Sequence, residues 1–517
     1  MLKRIAAITL MAVLAIGFLT SCGGKSSSTT TTTTTADKGS LTVLVSDLPG
    51  PCDVVSFPFH FDDLALTGTY NAATVPVNAG LANPPTIGLD LGCLRDFRTV
   101  LTTTTANAGT YNLAQIWISE AKLLFYDPTL LPPTPPINSA DLTLAPLKQD
   151  DIPISPPLTI FKNNAYVLQI DFDMAHSIQT ITTDTTTGKL DVTATPVITV
   201  QPLTASGSQG FGVVDDLVGF VRSVTPPTPG KTTPYNGSFA LQLLSNSINL
   251  PPVVTINLND SSQLYGFSAL NQLVTDSVME VDAYIDDVGN FVATSIEDEY
   301  AANPATNQVA FIGPVTAVRK DSSGNVTSLD LWTRDIQPSG PTTAGFNTVT
   351  LVNVSPTTTY QYSSRSVNFA NLPFGASNIT VGQELAVEGT YTTEAIPGTS
   401  STLSYAIKMT ADKVYDKLQS IQGNFSLLVQ AGSDDKTGGF TFVPCSKIFQ
   451  GASAMVLTSS ATTFVNVSGL AALSGSTNAP TLVVKGLPFY EVTAQTINGV
   501  PVPAGTLVIL AKQVHLI

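Results

Sequence analysis

The run YNLAQIWISEAKLLFY, residues 111–126, decides the class of this chain. Apolar and polar side chains alternate along it, and a period of two puts successive side chains on opposite faces of a strand. The pattern recurs in SLTVLVSD (40–47) and AYVLQIDFDM (165–174), and TDTTTGKLDVTATPVITV (183–200) adds a turn followed by another alternating run. No long segment past the N-terminus has helical periodicity. Short runs rich in Val, Ile, Thr and aromatics, broken by Gly, Pro, Asn and Asp, predict an all-β protein of sandwich or barrel type. The proline-rich stretch 128–158 interrupts the strands and reads as a surface loop or edge segment.

A second style of sequence begins near Phe211. GFVRSV (219–224) resembles GPVTAV (313–318) and, more weakly, GNFSLL (423–428). Each start leads into an amphipathic strand (GSFALQLL, SLDLWTRD, GFTFVPC) and then a Thr-rich one. Each copy ends in a pair of strands, the first of them VMEVDAYIDDVGNFVATSIE (278–297). This predicts three tandem OB-like β-barrels at 211–302, 308–417 and 418–517, the last degenerate, behind a sandwich at 40–205.

The N-terminus carries different information. Lys3 and Arg4 precede an uncharged apolar run at 5–19, the layout of a secretory signal over 1–21. Leu19-Thr20-Ser21-Cys22 resembles a bacterial lipobox, which implies a lipid on the Cys22 thiol and makes membrane lipid a partner. Residues 22–39, with Thr at every position from 29 to 35, cannot bury enough surface to order themselves and predict a flexible tether. Gly23 stands where a retention aspartate would hold the protein at an inner membrane, so an outer membrane is the expected home in a two-membrane cell.

Composition narrows the partners. Of 517 residues 43% are hydrophobic, enough for several cores, and only 12% are charged. The net charge of −15, with no basic cluster after the signal, argues against nucleic acid and anionic lipid. Besides Cys22 there are three cysteines. Cys52 and Cys93 lie in the first folded region, and a bridge between them is expected to stabilise by about 4 kcal/mol in the chain-entropy model. Cys445 lies far downstream and reads as a buried thiol.

Residues 39–68, GSLTVLVSDLPGPCDVVSFPFHFDDLALTG, with the Asp47-Leu48-Pro49 turn, resemble the opening of domain of unknown function 4382. AGTYNLAQIWISEAKL and LQIDFDMAHSIQ resemble two later signatures of that family, and the resemblance spans about residues 39–202. It implies a transthyretin- or immunoglobulin-like sandwich; the Cys52 and Cys93 pair is extra to its pattern. The copies after Phe211 resemble domain of unknown function 5666, a repeated β unit of exported bacterial proteins, through the Gly-x-Val start and the V-x-V…D-x-G-N-F-V-A-T hairpin. Neither family supplies a mechanism.

Chemistry is sparse. His60, His176 and His515 are the three histidines, too few and too scattered for a zinc triad or a serine–histidine catalyst, and no phosphate loop or nucleophile elbow occurs. Asp171 and Asp173 share a strand spacing, and with Asp47 they are weak candidates for ion or ligand binding. The paired carboxylates Asp286 and Asp287 sit in an oxygen-rich turn, as do residues 321–325 and 433–435. Calcium is the metal such turns would suit, though turn chemistry accounts for Asp, Asn and Gly there without an ion. Trp117 reads as core; Trp332, beside Arg334 and Asp335, reads equally as core or as an exposed platform for a sugar. The expected function is a non-catalytic, lipid-anchored stalk of β domains for adhesion or glycan contact. The alternatives are a carboxylate-dependent glycan hydrolase and a purely structural envelope component.

Overall fold

The computed structural model describes residues 37–517 apart from 48–49, 51, 53, 70–86, 95–97, 120, 127–136, 142–146, 184–189, 208–209, 228–234, 244–252, 299–307, 338–347, 365–366, 368, 370–371, 394–406, 450–451 and 476–478. The signal, Cys22 and nearly all of the tether lie outside the described residues. The first strand, Lys38–Asp47, already takes up the two residues expected to end the tether.

The protein is all β, as the alternation predicted. Its first body is built on eight strands. Ile87–Asp90, Pro58–Thr69, Gly109–Ser119 and Leu147–Ile160 form one half; Ile198–Leu203, Ala165–Phe172, Lys38–Asp47 and Arg98–Asn107 form the other. The halves meet at the pair Ile154–Val200 and bury a common core that includes Phe59, Phe61, Leu64, Ile116, Leu168 and Ile170. Alternation sorts the Lys38–Asp47 strand cleanly. Val43 and Val45 enter this core, while Leu44 joins Val100 and Val167 against the next body. The proline-rich stretch is corrected here: Leu147–Ile160 is an interior strand of the path, not a loop. Its pairing with Gly109–Ser119 breaks between Pro153 and Leu158, which lets a ladder carry residues without an N–H to donate.

Three closed five-stranded barrels follow. In the first, Gly212–Thr225 pairs with Ser238–Leu243 and Val278–Ile285, and Val253–Asn257 closes the ring by pairing in parallel with Phe291–Asp298. The second repeats this with Gln308–Lys320, Val326–Thr333, Thr348–Asn353, Glu384–Thr393 and Ile407–Asp416. The third uses Gln419–Ala431, Gly438–Pro444, Ala454–Thr458, Thr481–Glu491 and Thr506–Leu516.

The glycine that opens each sequence copy has a shared cause. A Cβ at Gly219, Gly313 or Gly423 would lie 2.4, 1.7 or 2.3 Å from the carbonyl oxygen of Gln242, Trp332 or Val443 on the neighbouring strand. Only glycine lets the two backbones come that close.

Residues Asp37–Ile517 form one compact unit. Apolar seams hold it together. Val218, Phe220 and Val278 of the first barrel meet Ala310, Ile312, Ala386 and Tyr415 of the second. Val367 and Phe369, from a loop of the second barrel, pack on Leu457, Phe489 and Leu510 of the third. Val55 and Tyr126 of the sandwich pack on the core of the third barrel.

Candidate functional site

The last two strands of every barrel carry the same irregularity. Asp282 stands opposite Ser295 while Ala283 stands opposite Ala293, so Thr294 is an extra residue. Glu388 and Gly389 likewise skip Asp412, and Lys485 and Gly486 skip Lys512. A bulge at one place in three barrels turns side chains outward at equivalent positions. Those positions are acidic in the first barrel and basic in the third.

The outward groups meet between the first and third barrels. Lys512 Nζ lies 2.5 Å from Asp282 Oδ2, and Lys485 Nζ lies 2.8 Å from Asp216 Oδ2. Lys417, on the link into the third barrel, reaches Glu280 Oε2 at 3.2 Å. Ser295 Oγ donates to Asp282 Oδ2 at 2.7 Å, and Ser364 of the second barrel donates to Glu297 at 3.0 Å. Asp215 and Asp216 reach the seam through a further bulge between Val214 and Leu217, with Asp216 at φ 53°.

Electrostatics follow from this crowding. Burial pushes the Asp215 carboxyl up to about 6, with Lys485 pulling the other way. Asp216 is raised for the same reason. Burial would raise Asp282 too, but Lys512, Lys485 and Ser295 together hold it well below the usual carboxylate range. Lys485 and Lys512 are raised, the neighbouring carboxylates outweighing the cost of burial. Arg98 of the sandwich is lowered by burial, with Asp215 and Asp171 opposing that shift from either side.

This seam opens onto a cavity of about 180 Å³ where all four bodies converge. Val54 and Gly92 come from the sandwich, Asp216 and Glu280 from the first barrel, Arg334 and Glu384 from the second, and Lys485 from the third. Asp216 keeps 39% of its side chain exposed, because it lines this space. Arg334 is buried and binds two bodies at once. Its Nε donates to Glu384 Oε1 at 2.9 Å, a second guanidinium nitrogen reaches Glu384 Oε2, and Nη1 reaches Asp90 Oδ2 at 3.4 Å. Asp90 is held in turn by the Phe57 and Gly92 N–H groups, each at 2.8 Å. The volume suits several waters or a small polar solute.

Beside the cavity runs the disulfide, and it corrects the cysteine reading. Cys52 pairs with Cys445, across 393 residues, not with Cys93. Cys445 is therefore no thiol, and both partners are half-buried. Packing of Val55 against the third barrel brings the turn at Cys52 beside the end of the Gly438–Pro444 strand. The Cys93 side chain lies outside the described residues.

The other sequence candidates scatter. Asp47 and Asp171 lie on opposite faces of a parallel pair in which Ser46, not Asp47, stands beside Asp171. Asp171 accepts from Ser46 Oγ at 2.7 Å, and burial raises its carboxyl. Asp47 accepts from the Met174 N–H at 3.3 Å. Asp173 caps the short helix Met174–Ser177 and pairs with His176 Nδ1 at 2.6 Å. Asp286 is a turn brace. It accepts from the N–H groups of Val288 and Asn290 and from the Tyr235 hydroxyl, and these bonds hold it below the usual range despite partial burial; Asp287 beside it is exposed. Trp332 is only 6% exposed, so it cannot present a face to a sugar. Its strand is covered on both sides, with a burial run through Thr333.

Reading the sequence missed Asp216, Glu280, Asp282, Lys485 and Lys512 as a group. A signal was available: the aligned segments MEVD, LAVE and LVVK end in Asp282, Glu388 and Lys485, a charge that inverts in one column. No family model matches this chain, and no curated protein matches it.

Proposed function

We propose that this chain is an exported, lipid-anchored envelope protein, attached through Cys22, that works as a non-catalytic β scaffold. Its hydroxyl-rich outer faces would contact glycans or envelope proteins, and an outer membrane is the favoured site. The observation that carries the reading is the Cys52–Cys445 disulfide, because such bonds persist in oxidising compartments outside the cytosol. The use made of the interior charges supports the non-catalytic part. Glu280, Asp282, Glu384 and Asp216 each hold a lysine or arginine from another segment, joining segments of the chain rather than standing ready as acid and base.

The test is fractionation of cells expressing the wild type and Cys22→Ser, with mass analysis of the mature N-terminus. The reading expects a diacylglyceryl-modified Cys22 in the membrane fraction and release of the variant to the soluble fraction. A wild type that is soluble and unmodified would sink the anchor. Saturable binding on a glycan array, repeated with chelator, tests the recognition arm, and turnover of any glycan would revive the hydrolase.

A further inference from the structure

Two turns close on residues 38–40, at the start of the first strand. The turn at 161–164 joins Leu147–Ile160 to Ala165–Phe172. Asn163 donates its N–H to the Lys38 carbonyl at 2.9 Å, and Ser40 donates its own to the Asn164 carbonyl at 3.0 Å. The turn at 286–290 of the first barrel reaches the same place: a Cβ at Gly289 would lie 2.5 Å from the Ala165 Cβ and 4.0 Å from Ser40 Oγ. Each turn exposes one large apolar side chain, Phe161 at 61% and Val288 at 64%. Phe161 is the one exposed phenylalanine among the described residues. Polar bonds hold both turns without help from these side chains. Phe161 donates its N–H to the Tyr166 hydroxyl at 2.8 Å, and Asp286 accepts from the Val288 and Asn290 N–H groups at 3.1 and 2.7 Å.

We propose that this corner seats on the bilayer that carries the Cys22 lipid, Phe161 and Val288 entering the boundary between headgroups and acyl chains. The proposal rests on the anchor reading, and two observations select lipid as the occupant. The first is where the chain from the anchor arrives. Asp37 follows Cys22 by 15 residues, a length that spans about 20 Å as a coil and about 50 Å at full stretch. So short a connection holds this corner near the surface, where even a weak lipid contact is made at high effective concentration. The second is charge. The corner carries Lys38 and Lys162 alongside Asp37, Asp286 and Asp287, and Lys162 pairs with Asp37 at 2.7 Å. Neither sign dominates there, on a chain of net charge −15, which suits zwitterionic headgroups. Apolar side chains added to a lipid anchor are the kind of second signal that makes attachment to a membrane durable.

Quenching by brominated lipid reads the contact. The full mature chain, carrying Cys22→Ser and a hexahistidine tag at its N-terminus, is held by that end on phosphatidylcholine vesicles containing a nickel-chelating lipid. Phe161→Trp and Val288→Trp each add a reporter to the two native tryptophans. The added emission should shift to the blue on the vesicles and be quenched when the phosphatidylcholine is brominated, relative to the same vesicles unbrominated. Leu427→Trp, at a position 63% exposed on the third barrel, should stay unquenched. Thermal transitions check that all three variants are folded. Reporters at 161 and 288 that remain in water would leave those side chains to a protein or glycan partner and overturn the proposal. Equal quenching at 427 would overturn it too, since lipid would then meet the chain without regard to this corner. The tag supplies the tether, so failure of the anchor reading shows separately, as an unmodified Cys22 in cells.

Discussion

Lys512 of the last barrel and Asp282 of the first form a largely buried ion pair at 2.5 Å, at bulges that occupy equivalent places in their barrels. Removing one member of such a pair leaves a charge with no compensation in a low-dielectric seam. Lys512→Met is expected to cost about 3–5 kcal/mol, and adding Asp282→Leu should return much of it. Denaturant unfolding of the two single variants and the double checks this; singles that cost nothing would mean water already fills the seam.

The disulfide makes a mapping prediction. Non-reduced peptide mapping should recover Cys52 linked to Cys445 in wild type and in Cys93→Ser alike. Cys445→Ser should lower stability by about 2–5 kcal/mol. A Cys52–Cys93 peptide as the main product would contradict the structure.

Asp416 supplies a pH dependence. It is wholly buried, and burial holds its carboxyl well above the usual carboxylate range, with Gln383 opposing in part. Unfolded, an aspartate releases its proton near pH 3.9, roughly. Between that pH and the folded value the native state binds more protons than the unfolded one. Stability from this group is therefore full at low pH and declines as pH rises, by about 1.4 kcal/mol per unit across the window. Asp416→Asn should flatten that slope in thermal unfolding from pH 4 to 8; an unchanged slope would assign it to other groups.

Gly313→Ala places a methyl 1.7 Å from the Trp332 carbonyl oxygen. The strands must part to admit it, at a cost of about 1–3 kcal/mol. Because Trp332 sits at that crossing and only one other tryptophan exists, its emission should shift to the red in the variant. An unshifted spectrum with unchanged stability would show that the crossing relaxes freely.

The class of fold was legible because alternation is a local property, written residue by residue in runs such as 111–126. The glycine starts of the barrels were legible for the same reason, since a close strand crossing leaves its mark at one position. The site was not. Cys52 found Cys445 through packing between the sandwich and the last barrel, which no spacing in the chain encodes. The charged seam is assembled from single residues, each at a bulge, so no local motif announces it. Trp332 sits beside Arg334 and Asp335, which left core and solvent face equally open; Arg334 is buried between Asp90 and Glu384, and the tryptophan is covered with it, so the core alternative holds.

The Cys52–Cys445 bond also reroutes mechanical load. If the chain is held at its N-terminal end and drawn from residue 517, tension runs along the backbone to Cys52, crosses to Cys445 and continues through the remainder of the third barrel. The first two barrels, and most of the sandwich, hang on a closed loop that carries no pull. A protein fastened at one end could be stretched repeatedly while the first two barrels stay folded, the Lys38–Asp47 strand of the sandwich taking the load ahead of Cys52, and reducing one bond would bring the unfolding length of those barrels into the force path.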